Sequence, residues 1–226
     1  WYRGGSPIVG ATANSLVGDT RRMLSIAFSP DRKYLAKGNL DGEIKIWDAS
    51  IISPSEAGTV AAQTQPATGL VFTADGKSML TSSDEPVAHI FDVASGEAVE
   101  LYDEPVWVGD VALSPDQKLV ATAQENGRII LWDVSTRNKL NTFPSADSMV
   151  AYDVEFSPDG KTLATGAGYV DLWNVKSGDL LLRVNTSNED NIWAVAFNPD
   201  GKRLAAGGTE GKISLIDTQT GDILQT

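Results

Sequence analysis

The sequence predicts an all-β fold built from five copies of one β-meander, and three observations carry that reading. A turn motif recurs as FSPD (28–31), FTAD (72–75), LSPD (113–116), FSPD (156–159) and FNPD (197–200), its first residues 44, 41, 43 and 41 apart. A second motif follows each time as IWD (46–48), IFD (90–92), LWD (131–133), LWN (172–174) and LID (215–217). Its central residue comes 19 residues after the first anchor in four copies and 17 after it in the fourth. No segment sustains a helical period over three turns.

Taken in order, each copy reads as short strands separated by turn dipeptides. In the first, a strand ends at Phe28, Ser29-Pro30-Asp31 turns it, and a strand of small residues (Leu35, Ala36, Gly38) follows. Asp41-Gly42 turns the chain again into Ile44–Trp47. The second copy turns at Asp75-Gly76 and carries the only histidine, His89, on its third strand. The third has Leu119–Ala123, the turn Asn126-Gly127, and Ile129–Trp132. The fourth and fifth turn at Asp159-Gly160 and Asp200-Gly201. These dipeptides supply the positive φ that tight hairpins need. Third strands such as Ile44-Lys45-Ile46-Trp47 and Ile129-Ile130-Leu131-Trp132 are apolar on both faces, which calls for a sheet packed on both sides. The small residues of the second strands suit a taper towards a crowded axis.

Composition narrows the function classes. Of 226 residues, 42% are apolar and 21% charged, enough for a substantial core and against wholesale disorder. A net charge of −12 argues against nucleic acid and against an anionic membrane surface, and it suits a basic partner. With no cysteine, disulfides, thiol catalysis and cysteine-ligated zinc are excluded. No cofactor or metal is expected. A Ser-His-Asp triad would have to use His89, which sits mid-strand with no nucleophile motif nearby, and no phosphate-binding glycine loop is present.

The FSPD…DG…WD grammar at this period resembles the Trp-Asp (WD) repeat β-propeller family over residues 16–226. The resemblance implies five four-stranded blades in one domain, at about 18–62, 63–103, 104–146, 147–187 and 188–226. The outer strand of each blade is then expected after the second motif. Residues 1–17 are left over and read as the last strand of a preceding blade. The expectation is therefore a piece of a larger propeller of seven or more blades, with a closed five-bladed ring as the alternative. The family's Gly-His is missing. Its place holds Gly18-Asp19, Ala62-Gln63, Asp103-Glu104, Ala146-Asp147 and Ser187-Asn188. The family's network, in which the His joins a Ser/Thr, an Asp and the Trp, is expected to be lost or rebuilt, at on the order of 1 kcal/mol per lost bond. The cysteine-free, SPDG-rich style looks bacterial, and a cytoplasmic setting is expected.

For function, the resemblance implies a non-catalytic scaffold that binds a protein or peptide, possibly basic, on the loop rim. Asp19, Glu104, Asp147 and Glu189/Asp190 fall at equivalent places in the loops entering the first strands. Trp107, Tyr152 and Trp193 follow a few residues later, and Tyr152 and Trp193 share one offset from the turn motif, where Leu24 and Thr68 stand in the first two copies. Aromatics beside carboxylates would receive a Lys- or Arg-bearing segment. Arg21 and Arg22 break the acidic ring and would set orientation. Two alternatives stand beside this reading. One is a carboxylate-dependent glycoside hydrolase on a five-bladed propeller. The other is a structural fragment that self-associates through open propeller edges.

Overall fold

A computed structural model describes residues 2–3, 6–7, 22–49, 55–61, 65–83, 87–103, 106–144, 149–186 and 191–226. Five four-stranded antiparallel sheets follow one another along the chain, each ordered as it runs in sequence. A two-stranded pair, β1 (Tyr2–Arg3) and β2 (Ser6–Pro7), precedes them. Blade 1 holds β3 (Met23–Phe28), β4 (Tyr34–Asn39), β5 (Glu43–Asp48) and β6 (Ser55–Ala61). Blade 2 holds β7 (Ala67–Phe72), β8 (Ser78–Ser83), β9 (Val87–Asp92) and β10 (Ala98–Asp103). Blade 3 holds β11 (Val108–Leu113), β12 (Leu119–Gln124), β13 (Ile129–Asp133) and β14 (Lys139–Phe143). Blade 4 holds β15 (Asp153–Phe156), β16 (Thr162–Gly166), β17 (Val170–Asn174) and β18 (Leu180–Val184). Blade 5 holds β19 (Ile192–Phe197), β20 (Arg203–Gly208), β21 (Ile213–Asp217) and β22 (Ile223–Gln225).

The turn motif folds because its side chains replace missing backbone partners. In blade 1 the Ser29 hydroxyl donates to Asp31 Oδ1 (2.6 Å) and accepts from the Tyr34 N–H (2.8 Å), while the Lys33 N–H donates to the same carboxylate (3.0 Å). Ser114–Asp116 and Ser157–Asp159 repeat this, and Thr73–Asp75 does so with a threonine. The Ser29 hydroxyl, with the Lys33 N–H, holds the Asp31 carboxyl below its ordinary range. The aspartate after the tryptophan is also a turn cap. Asp133 Oδ1 accepts from the Ser135 hydroxyl (2.7 Å) and from the Thr136 N–H (2.7 Å), and these bonds lower its pKa to about 2. Asn174 accepts from the Ser177 N–H in the same way, which is why LWN serves as well as LWD.

Two-faced third strands explain the cores. Ile129 and Leu131 face blade 4 and join Val154, Phe156, Leu163 and Trp173. Ile130 and Trp132 face blade 2 and join Leu80 and Ala88. Without the family's histidine, the tryptophans keep a shorter bond: Trp132 Nε1 donates to the Thr122 hydroxyl (3.0 Å) and Trp173 Nε1 to Thr165 (3.1 Å). The Trp–Thr part of the network is thus retained in blades 3 and 4. His89 lies buried within blade 2, its ring 5.9 Å from that of Phe91.

The first strands pack in succession around one axis: β3 on β7, β7 on β11, β11 on β15 and β15 on β19. Among the described residues no comparable packing joins β19 back to β3. Accordingly Ile26 (55% exposed) and Phe28 (63%) on β3, and Ile213 (68%) on β21, lack the cover that their equivalents in the middle blades receive. The described residues form an open arc.

Candidate functional site

In blades 1, 3 and 5 the backbone places the start of the first strand beside the turn between second and third strands. The Leu40 N–H donates to the Arg22 carbonyl, Glu125 N–H to Trp107, and Thr209 N–H to Asn191. All these positions therefore share one rim.

A β-bulge sets the aromatic side chains on that rim. In blade 5 the pairing of β19 with β20 skips Trp193 between Ile192 and Ala194, and blades 1, 2 and 3 skip Leu24, Thr68 and Gly109 alike. A bulge re-aims the residue it leaves unpaired. Trp193 so points back towards blade 4, where its ring lies 4.2 Å from that of Tyr152, tilted by 37°. Trp193 is 52% exposed and Tyr152 half-buried. In blade 3 the bulged residue is Gly109, and the half-buried Trp107 ring fills its place: a Cβ on Gly109 would stand 3.0 Å from Trp107 Cζ3. Aromatic surface thus runs over three consecutive blades. Met149, exposed on the same rim with its thioether folded over Gly168, extends it. Sequence reading passed over Met149, although its place just ahead of Tyr152 was visible.

Of the other residues expected here, the exposed Arg22 sits on the rim at blade 1, and no described side-chain contact joins it to Tyr152 or Trp193. Arg21, Glu104, Asp147 and Glu189, with Asp19 and Asp190, lie outside the described residues.

The structure adds acids the sequence reading missed. The first strands line a channel of about 440 Å³ whose wall includes Gly69, Asp110, Asp153 and Glu155. Each acid is a strap to the next blade. Asp110 Oδ2 accepts from the Val154 N–H (3.2 Å), Asp153 Oδ2 from Val195 (2.5 Å), and Glu155 Oε2 from Phe197 (2.6 Å). Burial and then the neighbouring Asp153 charge push the Asp110 carboxyl well above its ordinary range. Burial also raises Glu155. A carboxyl in an otherwise apolar first strand (GDVAL, DVEF) was the signal available. Asp110 and Asp153 both accept from the Val154 N–H, and Asp153 also accepts from Val195. Glu104 and Asp147, the acids on which a glycoside hydrolase was expected to draw, lie outside the described residues. Among the described residues no group of three metal-ligating side chains occurs.

Comparison with known proteins agrees with this geometry. The family described as "WD domain, G-beta repeat" matches residues 10–48, 100–133 and 137–174, and that described as "Anaphase-promoting complex subunit 4 WD40 domain" matches 182–226. Target of rapamycin complex subunit wat1 of Schizosaccharomyces pombe is 23% identical over 62% of this chain and 45% of its own length. WD repeat-containing protein 55 of Bos taurus is 27% identical over 63% of this chain and 38% of its own. A WD repeat-containing protein 26 homolog of Arabidopsis thaliana is 26% identical over 68% and 26%. The chain thus spans less than half the length of these relatives.

Proposed function

Because this chain belongs to the WD-repeat β-propeller family, we propose that it is a non-catalytic scaffold holding a protein or peptide on the rim formed by Trp107, Tyr152 and Trp193. The observation that carries this reading is the Tyr152–Trp193 pair, set on a bulge with half of the indole in solvent. A half-exposed aromatic pair offers the kind of anchor that binding hot spots are built from. The partner's chemistry follows from the net charge of −12 and the open indole face: a Lys- or Arg-bearing segment, held by cation–π contact and long-range attraction. One relative, wat1, is a subunit of the target of rapamycin complex, which supports a protein partner.

Fluorescent peptides rich in Lys and Arg, with acidic peptides as controls, test this reading. Binding should weaken more than about tenfold in the double variant Trp193→Ala, Tyr152→Ala, the loss expected of a hot-spot pair. The thermal midpoint should stay close to that of the parent. Collapse of the fold instead would place both rings in the core, and preference for acidic peptides would reject the basic partner.

A second reading, association between copies, rests on Ile26 and Phe28 at one end of the arc and Ile213 at the other. Uncovered sheet faces of this kind invite contact. Light scattering across a concentration series should then show dimers or larger species, and a constant monomer mass would end this reading.

A further inference from the structure

We propose that Asp110 and Asp153 form a pH-sensitive clasp across the junction of blades 3 and 4, beneath the rim. The two carboxyls come together from neighbouring first strands, β11 and β15, where both accept from the single Val154 N–H, Asp110 Oδ2 at 3.2 Å and Asp153 Oδ1 at 3.0 Å. Asp153 is also anchored by the Val195 N–H of β19. At the same position the other blades have Ser25, Gly69 and Ala194. Ser25 straps blade 1 to blade 2 without charge, through its hydroxyl to the Ala67 carbonyl (2.8 Å). Only the middle of the arc has acids in this place.

Two carboxyls that meet on one N–H attract while they share a proton and repel once both are ionised. Among the described residues only backbone N–H groups, those of Val154 and Val111 on Asp110 and of Val195 on Asp153, favour the ionised forms, and no cationic side chain faces the pair. The strands packed on β11 are β7, β8, β9, β12 and β15. Strands β7, β8 and β12 carry no charged residue, nor does β19 beyond them. On β9, Ala88 and Ile90 face blade 3, His89 lies on the opposite face, and Asp92 caps the far turn. From β15 comes only a further acid, Glu155.

The sign follows. The folded chain holds the Asp110 proton above the pH at which an unfolded aspartate releases it, so stability is full below the unfolded value and falls as pH rises through the clasp's titration. The turn aspartates act oppositely. Asp31, Asp116 and Asp159 are held below the ordinary range, and their contribution is lost as pH falls through it. Stability therefore peaks in mild acid. Above the peak the clasp loosens, and β11 and β15 part beside the channel.

Urea unfolding between about pH 5 and pH 8 tests the clasp, since one proton changes the unfolding equilibrium by up to about tenfold per pH unit. The parent chain should become less stable as pH rises. Asp110→Asn, whose amide donates to Asp153 without ionising, should flatten that dependence and be the more stable protein at the alkaline end. A parent chain whose stability is flat or rises, or an Asp110→Asn variant that keeps the parent slope, overturns the proposal. Should the variant fail to fold, the carboxyl carbon resonance of Asp110 in the parent decides. Titration above the ordinary aspartate range supports the clasp, and titration within that range overturns it.

Discussion

Replacing Trp173 by alanine is expected to lower the unfolding free energy by about 3–5 kcal/mol, the cost of emptying a buried indole site. The side chain is 4% exposed and sits between blades 3 and 4, its ring stacked at 14° on Phe143 of the outer strand of blade 3. The cavity would open where two sheets meet, and neither sheet can move in without leaving its other neighbour. Trp173→Phe separates packing from hydrogen bonding: it keeps most of the contact and drops only the bond to Thr165, for about 1 kcal/mol. The complementary change, Thr165→Val, leaves the indole N–H buried without its partner and should cost about 1–3 kcal/mol. Chemical denaturation of the three variants checks the order. If Trp173→Phe proved as damaging as Trp173→Ala, the bond and not the packing would hold this junction.

A matched pair of glycines gives the second large effect. Gly166 and Gly207 hold the same place on the second strands of blades 4 and 5. A Cβ on Gly166 would stand 2.9 Å from both the Ile192 carbonyl oxygen and its Cγ2 on blade 5. The carbonyl belongs to the backbone and cannot swing aside, so Gly166→Ala should cost about 1–3 kcal/mol in overpacking. A Cβ on Gly207 meets only the Lys212 carbonyl, at 3.8 Å, because no sixth sheet lies beyond it among the described residues. Gly207→Ala should therefore be neutral, or stabilise by a few tenths of a kcal/mol. Thermal unfolding of both at low concentration distinguishes them. An equal loss in Gly207→Ala would mean that the last sheet's face is covered in solution, as association between copies requires.

Much of the fold could be read before any coordinates existed, for a local reason. The SPD and WD segments are turns closed by their own side chains, within five residues, so Ser29, Asp31 and Asp133 act the same whatever packs on them. Two apolar faces on a third strand likewise implied two neighbouring sheets, and Ile129 and Ile130 do face opposite blades. The rim was half legible. Tyr152 and Trp193 stood out by their common offset and do meet, whereas Trp107 lies two residues earlier and reaches the rim only by folding over Gly109. The loss of the histidine network was legible as well. Which threonines keep the Trp–Thr part of that network was not, because Thr122 and Thr165 look like ordinary strand threonines until Trp132 and Trp173 are laid across them.

By itself, then, the sequence determined the number of meanders, their turns and the sandwiching of each sheet, because those follow from repeat spacing and from bonds between near neighbours. Only the tertiary structure decided what the first strands do when brought together around an axis. There a bulge turns Trp193 onto Tyr152, and Asp110 and Asp153, 43 residues apart in the chain, come to accept from the same Val154 N–H. Both depend on how neighbouring sheets are rotated against each other. That rotation arises from contacts a full repeat apart, which no local pattern records.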